Sequence, residues 1–220
     1  MTILSMYERA ERNRRRVVWC VVWGVALVAA HALDRAALDA FRLQDASSVE
    51  RKDWYRLLRV LGFWPTWLVV GILIEIAAAR GRDETPAAPR ARPGLALLLA
   101  AGLSGLIAEV LKRVITRERP GPEGEYIYRG LFEGFWNDHR LGIPSSHAAV
   151  AFGAAFLLAR YHRGLAVPAF LLACGCGLTR MLSGAHYLSD VVAAAAIGAF
   201  AAGVFATLSR GAQGWSSRPA

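Results

Sequence analysis

The chain has 220 residues, of which 55% are hydrophobic, a mean hydropathy of +0.33 and a formal net charge of +9. That much apolar sequence, gathered in long runs, excludes an ordinary soluble domain of this length. On a membrane protein the basic excess reports topology, and with no nucleic-acid-reading motif in view it carries no expectation of a nucleic-acid partner.

A transmembrane helix needs roughly 20 mostly apolar residues. Six segments approach this: 17–33, 60–79, 93–115, 147–160, 164–182 and 187–208. The fourth and fifth are short and are separated only by Arg160-Tyr161-His162-Arg163. The expected fold is an all-α integral membrane protein of six transmembrane helices, with interfacial helices on the outer face. It forms a single domain over 1–220, without repeat or internal boundary. Cys20, Cys174 and Cys176 all fall inside expected spans. An odd cysteine count in lipid argues against a disulfide framework. Cys174-Gly175-Cys176 lacks the spacing of a zinc site and reads as small helix-packing residues.

Residues 1–16 are polar, with Arg9 and Arg12 before Arg14-Arg15-Arg16, which marks a cytoplasmic flank. The long apolar run behind it, with no small-residue cleavage site, does not read as a cleaved signal peptide. The first span ends near His31 and Asp34. Residues 34–59 are mixed in charge, with Ala37, Leu38 and Phe41, then Trp54, Leu57 and Leu58, at helical spacing. They read as amphipathic helices at the outer interface, with Trp54 and Tyr55 at headgroup level, serving substrate entry or simple connection. Glu75, near the inner end of the second span, reads as snorkelling or structurally paired, and Arg80 to Pro93 as a flexible cytoplasmic loop.

The third span runs into Lys112-Arg113-Val114-Ile115-Thr116-Arg117-Glu118-Arg119-Pro120. On a continuous helix Lys112 and Arg119 fall on nearly one face, two turns apart, and Pro120 stops the helix. The pair is an anion clamp or, more plainly, an interfacial basic cluster. Its place on the outer side, where basic residues are disfavoured, argues for a function. Glu109, one turn earlier, can pair with Lys112. The loop 121–143 carries Tyr126, Tyr128, Phe132, Phe135 and Trp136, and either covers a headgroup or rests on the bilayer.

Pro144-Ser145-Ser146-His147 then precedes an apolar run. Serines there read as helix N-caps, and a helix N-terminus binds phosphate through its free N–H groups and dipole. His147, in the first turn, is placed to hand a proton to a leaving oxygen; the plainer reading is a cap with an interfacial histidine. Farther on, Thr179 to Asp190 holds Arg180, His186 and Asp190 between two apolar runs. On a helix His186 and Asp190, spaced i, i+4, share a face. The carboxylate can fix one imidazole tautomer and leave the other nitrogen free to attack, while Arg180 forks onto an anion in front of the ring. The plainer reading is a turn with a structural His–Asp pair. Six spans starting inside place all three segments on the outer face, and the tail with Arg210 and Arg218 inside.

These three segments resemble the signatures of the type 2 phosphatidic acid phosphatases, a superfamily related to the vanadium haloperoxidases. Lys112, six residues, then Arg119-Pro120 matches the first signature; Pro144-Ser145-Ser146-His147 is similar to the second, Pro-Ser-Gly-His. Thr179-Arg180, five residues, His186, three residues, Asp190 is similar to the third, which begins Ser-Arg. The likeness spans a motif core of 112–190 and departs at Ser146, usually glycine, and Thr179, usually serine. A side chain at Ser146 must fit beside the phosphate and narrows substrate choice. The resemblance implies His186 as nucleophile forming a phosphohistidine, Asp190 orienting it, and His147 protonating the leaving group and later activating water. It implies Lys112, Arg119, Arg180, Ser145 and the Ser146 N–H as the phosphate cradle. Three fixed cations supply what Mg²⁺ supplies elsewhere, so no metal and no cofactor is expected.

The implied protein is a lipid phosphatase of a bacterial inner membrane, its site facing the periplasm or exterior, with a lipid phosphate and membrane lipids as partners. Undecaprenyl pyrophosphate, phosphatidylglycerol phosphate, phosphatidic acid and lipid A phosphate are the substrates of bacterial relatives. The alternatives are a lipid phosphotransferase and a non-catalytic phospholipid-binding membrane protein.

Overall fold

A computed structural model describes residues 3–80, 92–136 and 140–206. Its helices are α1 (Ile3–Phe41), α2 (Ser47–Glu50), α3 (Asp53–Val60), α4 (Trp64–Arg80), α5 (Pro93–Ile115), α6 (Ser146–Tyr161), α7 (Ala166–Leu182) and α8 (Leu188–Phe205). Among the described residues there is no strand. Two isolated bridges pair Arg117 with Tyr128 and Glu118 with Leu141.

α6 is the central post, packed on α5, α7 and α8; α1 leans on α8, α4 on α5 and α3 on α7. Its sequence explains the place. Ala148, Ala149, Ala151, Ala154 and Ala155 are buried and let neighbouring backbones come close, as membrane helices do when small residues meet. A Cβ built on Gly198 of α8 would lie 2.6 Å from the Gly153 backbone nitrogen of α6, so this crossing requires glycine. Many large apolar side chains point outward, among them Val21, Val25 and Val28 of α1, Ile72 and Leu73 of α4, and Val167 and Leu171 of α7. Close helix crossings through small residues and an exposed apolar surface suit a lipid surround.

Among the described residues four helices are long and apolar enough to cross a membrane, within Arg9–Phe41, Pro93–Ile115, Arg163–Leu182 and Leu188–Phe205. α3 and α4 pass together as a fifth, bent by 71°. The expected fourth span is α6, whose 16 residues fall short of that length. α5 begins with Pro93, and Glu75 of α4 accepts hydrogen bonds from its Gly94 and Leu95 N–H groups at 3.1 and 3.3 Å. Glu75 is thus a helix cap supplied by a neighbouring helix.

Two expectations are corrected. Residues 34–41 form no separate amphipathic helix; they prolong α1, and only α2 and α3 follow. Tyr55 is not an exposed interfacial anchor. It is fully buried, and its hydroxyl donates to the Thr179 carbonyl at 3.0 Å, pinning α3 to the last turns of α7. Trp54 beside it stays half exposed. The expected cytoplasmic loop falls, over 81–91, outside the described residues, as do the tail arginines.

Candidate active site

Lys112 sits on the last full turn of α5, but Arg119 does not share its helix. α5 ends at Ile115, and Thr116 turns into the left-handed region at φ 54°. Its hydroxyl donates to the Gly130 carbonyl at 2.8 Å. The chain then runs extended. Glu118 N–H donates to Ile127 at 2.9 Å, Arg119 N–H to Arg140 at 2.8 Å, and Gly142 N–H to Arg117 at 2.7 Å. Backbone pairing with two neighbouring strands of loop therefore replaces the helix expected up to Pro120. In an extended chain residues two apart face one side, so Arg117 and Arg119 both turn toward the bundle.

His186 lies in the turn Ser183–Tyr187, where Gly184 adopts φ 63°, a conformation that favours glycine. Asp190 is in the first turn of α8, so the pair meets across a helix N-terminus rather than along a helix face. The contact itself stands: His186 Nδ1 is 3.2 Å from Asp190 Oδ2, which also accepts the Tyr187 N–H at 2.9 Å. With Nδ1 on the carboxylate, Nε2 is the free nitrogen. Burial disfavours the imidazolium more than Asp190 supports it, and the His186 pKa lies below its ordinary value.

Ser145 takes the N-cap place of α6 without a side-chain cap bond. Its N–H donates to the Asp190 carbonyl at 3.2 Å, joining this segment to the His–Asp turn. Ser146, also expected to cap, turns away: its hydroxyl contacts Lys112 Nζ and donates to the Glu109 carboxylate. Lys112 Nζ donates to Glu109 Oε1 at 3.1 Å, the pairing expected from their spacing.

Lys112, Arg119, Ser146, His147, Arg180 and His186 line one cavity of about 530 Å³, together with Trp64, Leu106 and Glu109. Ser145 and Asp190 are buried behind it. The Arg180 Nε and Ser145 Oγ are buried without a protein partner among the described residues. Buried polar groups are otherwise nearly always paired, so both suit an incoming acceptor or donor. Burial and the neighbouring Arg140 press the Arg119 pKa down, and the guanidinium remains a cation at neutral pH. Among the described residues no three His, Cys, Asp or Glu gather as metal ligands. The arrangement gathers two imidazoles, one of them with Nδ1 held by Asp190, and three cationic side chains around one cavity, a chemistry suited to an anion.

Two residues escaped the sequence reading. Arg117 and Asp34 are buried, and Arg117 is ion-paired with Asp190. The signal for Asp34 was an ionisable residue closing a long apolar run, a place where charge calls for a partner. Arg117 offered only its two-residue offset from Arg119.

A family model described as PAP2 superfamily matches residues 93–213. The chain is 30% identical over 149 residues to a decaprenylphosphoryl-5-phosphoribose phosphatase of Mycobacterium tuberculosis, covering 67% of this chain and 73% of that protein. It is 39% identical over 114 residues to a lipid A 1-phosphatase of Rhizobium johnstonii, covering 49% of this chain and 44% of the relative, so the match spans less than half of that protein's length. In fold it is similar to a solved transmembrane PAP2-type phosphatidylglycerolphosphate phosphatase from Bacillus subtilis, at a TM-score of 0.58 and 20% identity over 92% of this chain and 97% of the other.

Proposed function

Since the chain belongs to the PAP2 superfamily, we propose that it is an integral membrane phosphatase acting on a lipid phosphate through a phosphohistidine at His186. The observation that carries the reading is the convergence of His186, His147, Lys112, Arg119 and Arg180 on one cavity, with His186 Nδ1 held by Asp190. Lys112, Arg119 and Arg180 hold the phosphoryl oxygens, with Ser145 and the Ser146 N–H beside them. The His186 Nε2 lone pair forms the N–P bond as the P–O bond to the lipid breaks. His147 gives its proton to the departing oxygen. It then takes a proton from water, whose oxygen attacks phosphorus and releases phosphate as the N–P bond breaks. Phosphoryl transfer is largely positioning and charge stabilisation, which fixed cations provide without a metal ion.

The names of the relatives support a substrate class. Their names place one on lipid A and one on a polyprenyl-linked phosphoribose. Among the lipid phosphates open to this site we favour those two types of monoester over a glycerolipid or a pyrophosphate. The four apolar helices, the bent α3–α4 pair and α6 together make six passes, with the substrate entering sideways from the bilayer and the cavity facing the outer leaflet.

The test is a panel of lipid phosphates assayed for free phosphate, with and without an acceptor lipid, in EDTA. We expect turnover that survives the chelator and stops with orthovanadate, and an acid-labile phosphoenzyme that is absent from folded His186→Ala. Substantial turnover by that variant, or activity that needs Mg²⁺, would sink the mechanism. Product on the acceptor lipid instead of free phosphate would convert it to a phosphotransferase.

A further inference from the structure

Behind His186 the charge network continues to the first helix. Arg117 Nη2 is ion-paired with Asp190 Oδ1 and donates to Ser189 Oγ at 2.9 Å. Its Nη1 lies 3.8 Å from Asp34 Oδ2. Asp34 Oδ1 accepts the Ser189 N–H at 2.7 Å, and Oδ2 accepts the Ser189 hydroxyl at 2.6 Å and the Tyr126 hydroxyl at 3.0 Å. The guanidinium lies over Tyr187 at 4.9 Å and Tyr126 at 5.5 Å, whose rings stack on each other at 4.6 Å. Arg117 is 1% exposed; Asp34 and Asp190 are fully buried.

A lone buried charge is costly, and removing one partner leaves the other uncompensated. Here one guanidinium serves two carboxylates. It holds Asp190 by Oδ1, which leaves Oδ2 turned to His186 Nδ1 and the Tyr187 N–H. Asp34 steadies both the guanidinium and the first turn of α8, and it does so from α1, outside the residues 93–213 that match the family.

We propose that Arg117 and Asp34 are positioning residues for the nucleophile: Arg117 fixes the Asp190 carboxylate against His186, and Asp34 fixes Arg117 from the first helix. The inference rests on the phosphohistidine reading. It makes α1 part of the catalytic apparatus rather than only an anchor.

The charges around the ring set the sign of the effect. His186 faces Asp190 of α8, Arg180 of α7, Lys112 of α5, His147 of α6 and Arg119 of the segment after α5, with Arg59 of α3 near Arg180 and His147. Without the Arg117 charge, Asp190 acts on the imidazole undiluted. The imidazolium is favoured, and the acid limb of activity moves to higher pH. Without the Asp34 charge, Arg117 draws on Asp190 alone. The imidazolium loses support, and the limb moves to lower pH.

The experiment compares Arg117→Gln, Asp34→Asn and Arg117→Lys with the parent in the assay above, following kcat, KM and the acid limb of kcat/KM. We expect kcat to fall by about 10- to 100-fold, the loss typical when an outer hydrogen-bond partner of a ligating imidazole is removed. KM should stay within about twofold. The limbs should move in opposite directions for Arg117→Gln and Asp34→Asn, while Arg117→Lys, which keeps the charge, stays near the parent limb and recovers part of kcat. Limbs that coincide with the parent's in the folded variants, or move the same way, overturn the inference. If Arg117→Gln does not fold, the downward shift in Asp34→Asn and the unmoved limb in Arg117→Lys decide it. A parent without turnover or phosphoenzyme overturns the phosphatase reading and this inference with it; an active parent with unmoved limbs overturns this inference alone.

Discussion

Lys112 meets the cavity with a carboxylate already at its side. Glu109 accepts from Lys112 and from Ser146, the side chain that stands where the resembling signature has glycine. An anion entering the cradle competes with that carboxylate for Lys112. Glu109 is about half exposed, so the competing pair is worth no more than about 1 kcal/mol. Glu109→Gln should therefore tighten orthovanadate inhibition by up to about fivefold, read from inhibition constants; looser inhibition would show that Glu109 aids the cradle. His186 supports a second expectation. Its lowered pKa leaves the ring neutral, with a free lone pair, at neutral pH. Activity limited by that lone pair is full above the folded-state pKa and is lost as pH falls through it. The acid limb of kcat/KM should therefore lie below the ordinary imidazole value of about 6.5. A limb above that value would mean that Asp190 outweighs burial.

At the scale of elements, the bundle depends on backbones that nearly touch. Gly198 on α8 and Gly153 on α6 leave no room for a methyl group, since a Cβ at Gly198 would come within 2.6 to 2.8 Å of main-chain atoms. Backbone cannot swing aside as a side chain tip does, so Gly198→Ala must spread α6 from α8. Overpacking of this kind costs about 1–3 kcal/mol. A lowered melting temperature in detergent is expected, with reduced activity because α6 and α8 carry His147 and Asp190. A melting temperature equal to the parent's would contradict the crossing. The helices were largely legible in sequence, because long apolar runs and flanking charges mark them. The cavity residues were legible too, since a cation, serine or histidine at the end of an apolar run has few bland explanations. What sequence could not yield was local geometry. The helix stops before Arg119 because Thr116 to Arg119 finds loop partners from residues 127 to 142, and such distant pairing leaves no periodic trace. Tyr55 and Asp34 looked like interface residues because their partners, Thr179 and Ser189, lie far along the chain.

Over the whole molecule, the helix directions sort the charges by end. Asp34 near the end of α1, Lys112 near the end of α5, and the starts of α6 and α8 gather at the cavity end. The opposite end is tied together by the Tyr161 hydroxyl on the Pro93 carbonyl and by Arg160 on the Ala202 carbonyl at 3.3 Å. Arg14, Arg15, Arg16, Arg80, Arg92, Arg160 and Arg163 all belong to that end. Basic residues close to span ends are retained in the cytoplasm, whereas acidic residues count for little in this rule. The cavity should then open on the far side of the membrane, and its substrates should be outer-leaflet lipids. The weight against this comes from Arg35, Arg42, Arg51, Lys52, Arg56 and Arg59 at the cavity end, but part of that group is engaged in structure. Arg42, for example, donates to the Gly121 carbonyl at 2.7 Å. Single cysteines decide the matter. In a variant whose Cys20, Cys174 and Cys176 are replaced, Glu133→Cys at the cavity end and Gly164→Cys in the opposite turn are both exposed. An impermeant thiol reagent on intact cells should label the first and reach the second only after permeabilisation. Labelling of Gly164→Cys alone would invert the protein in the bilayer and move its substrate to the inner leaflet.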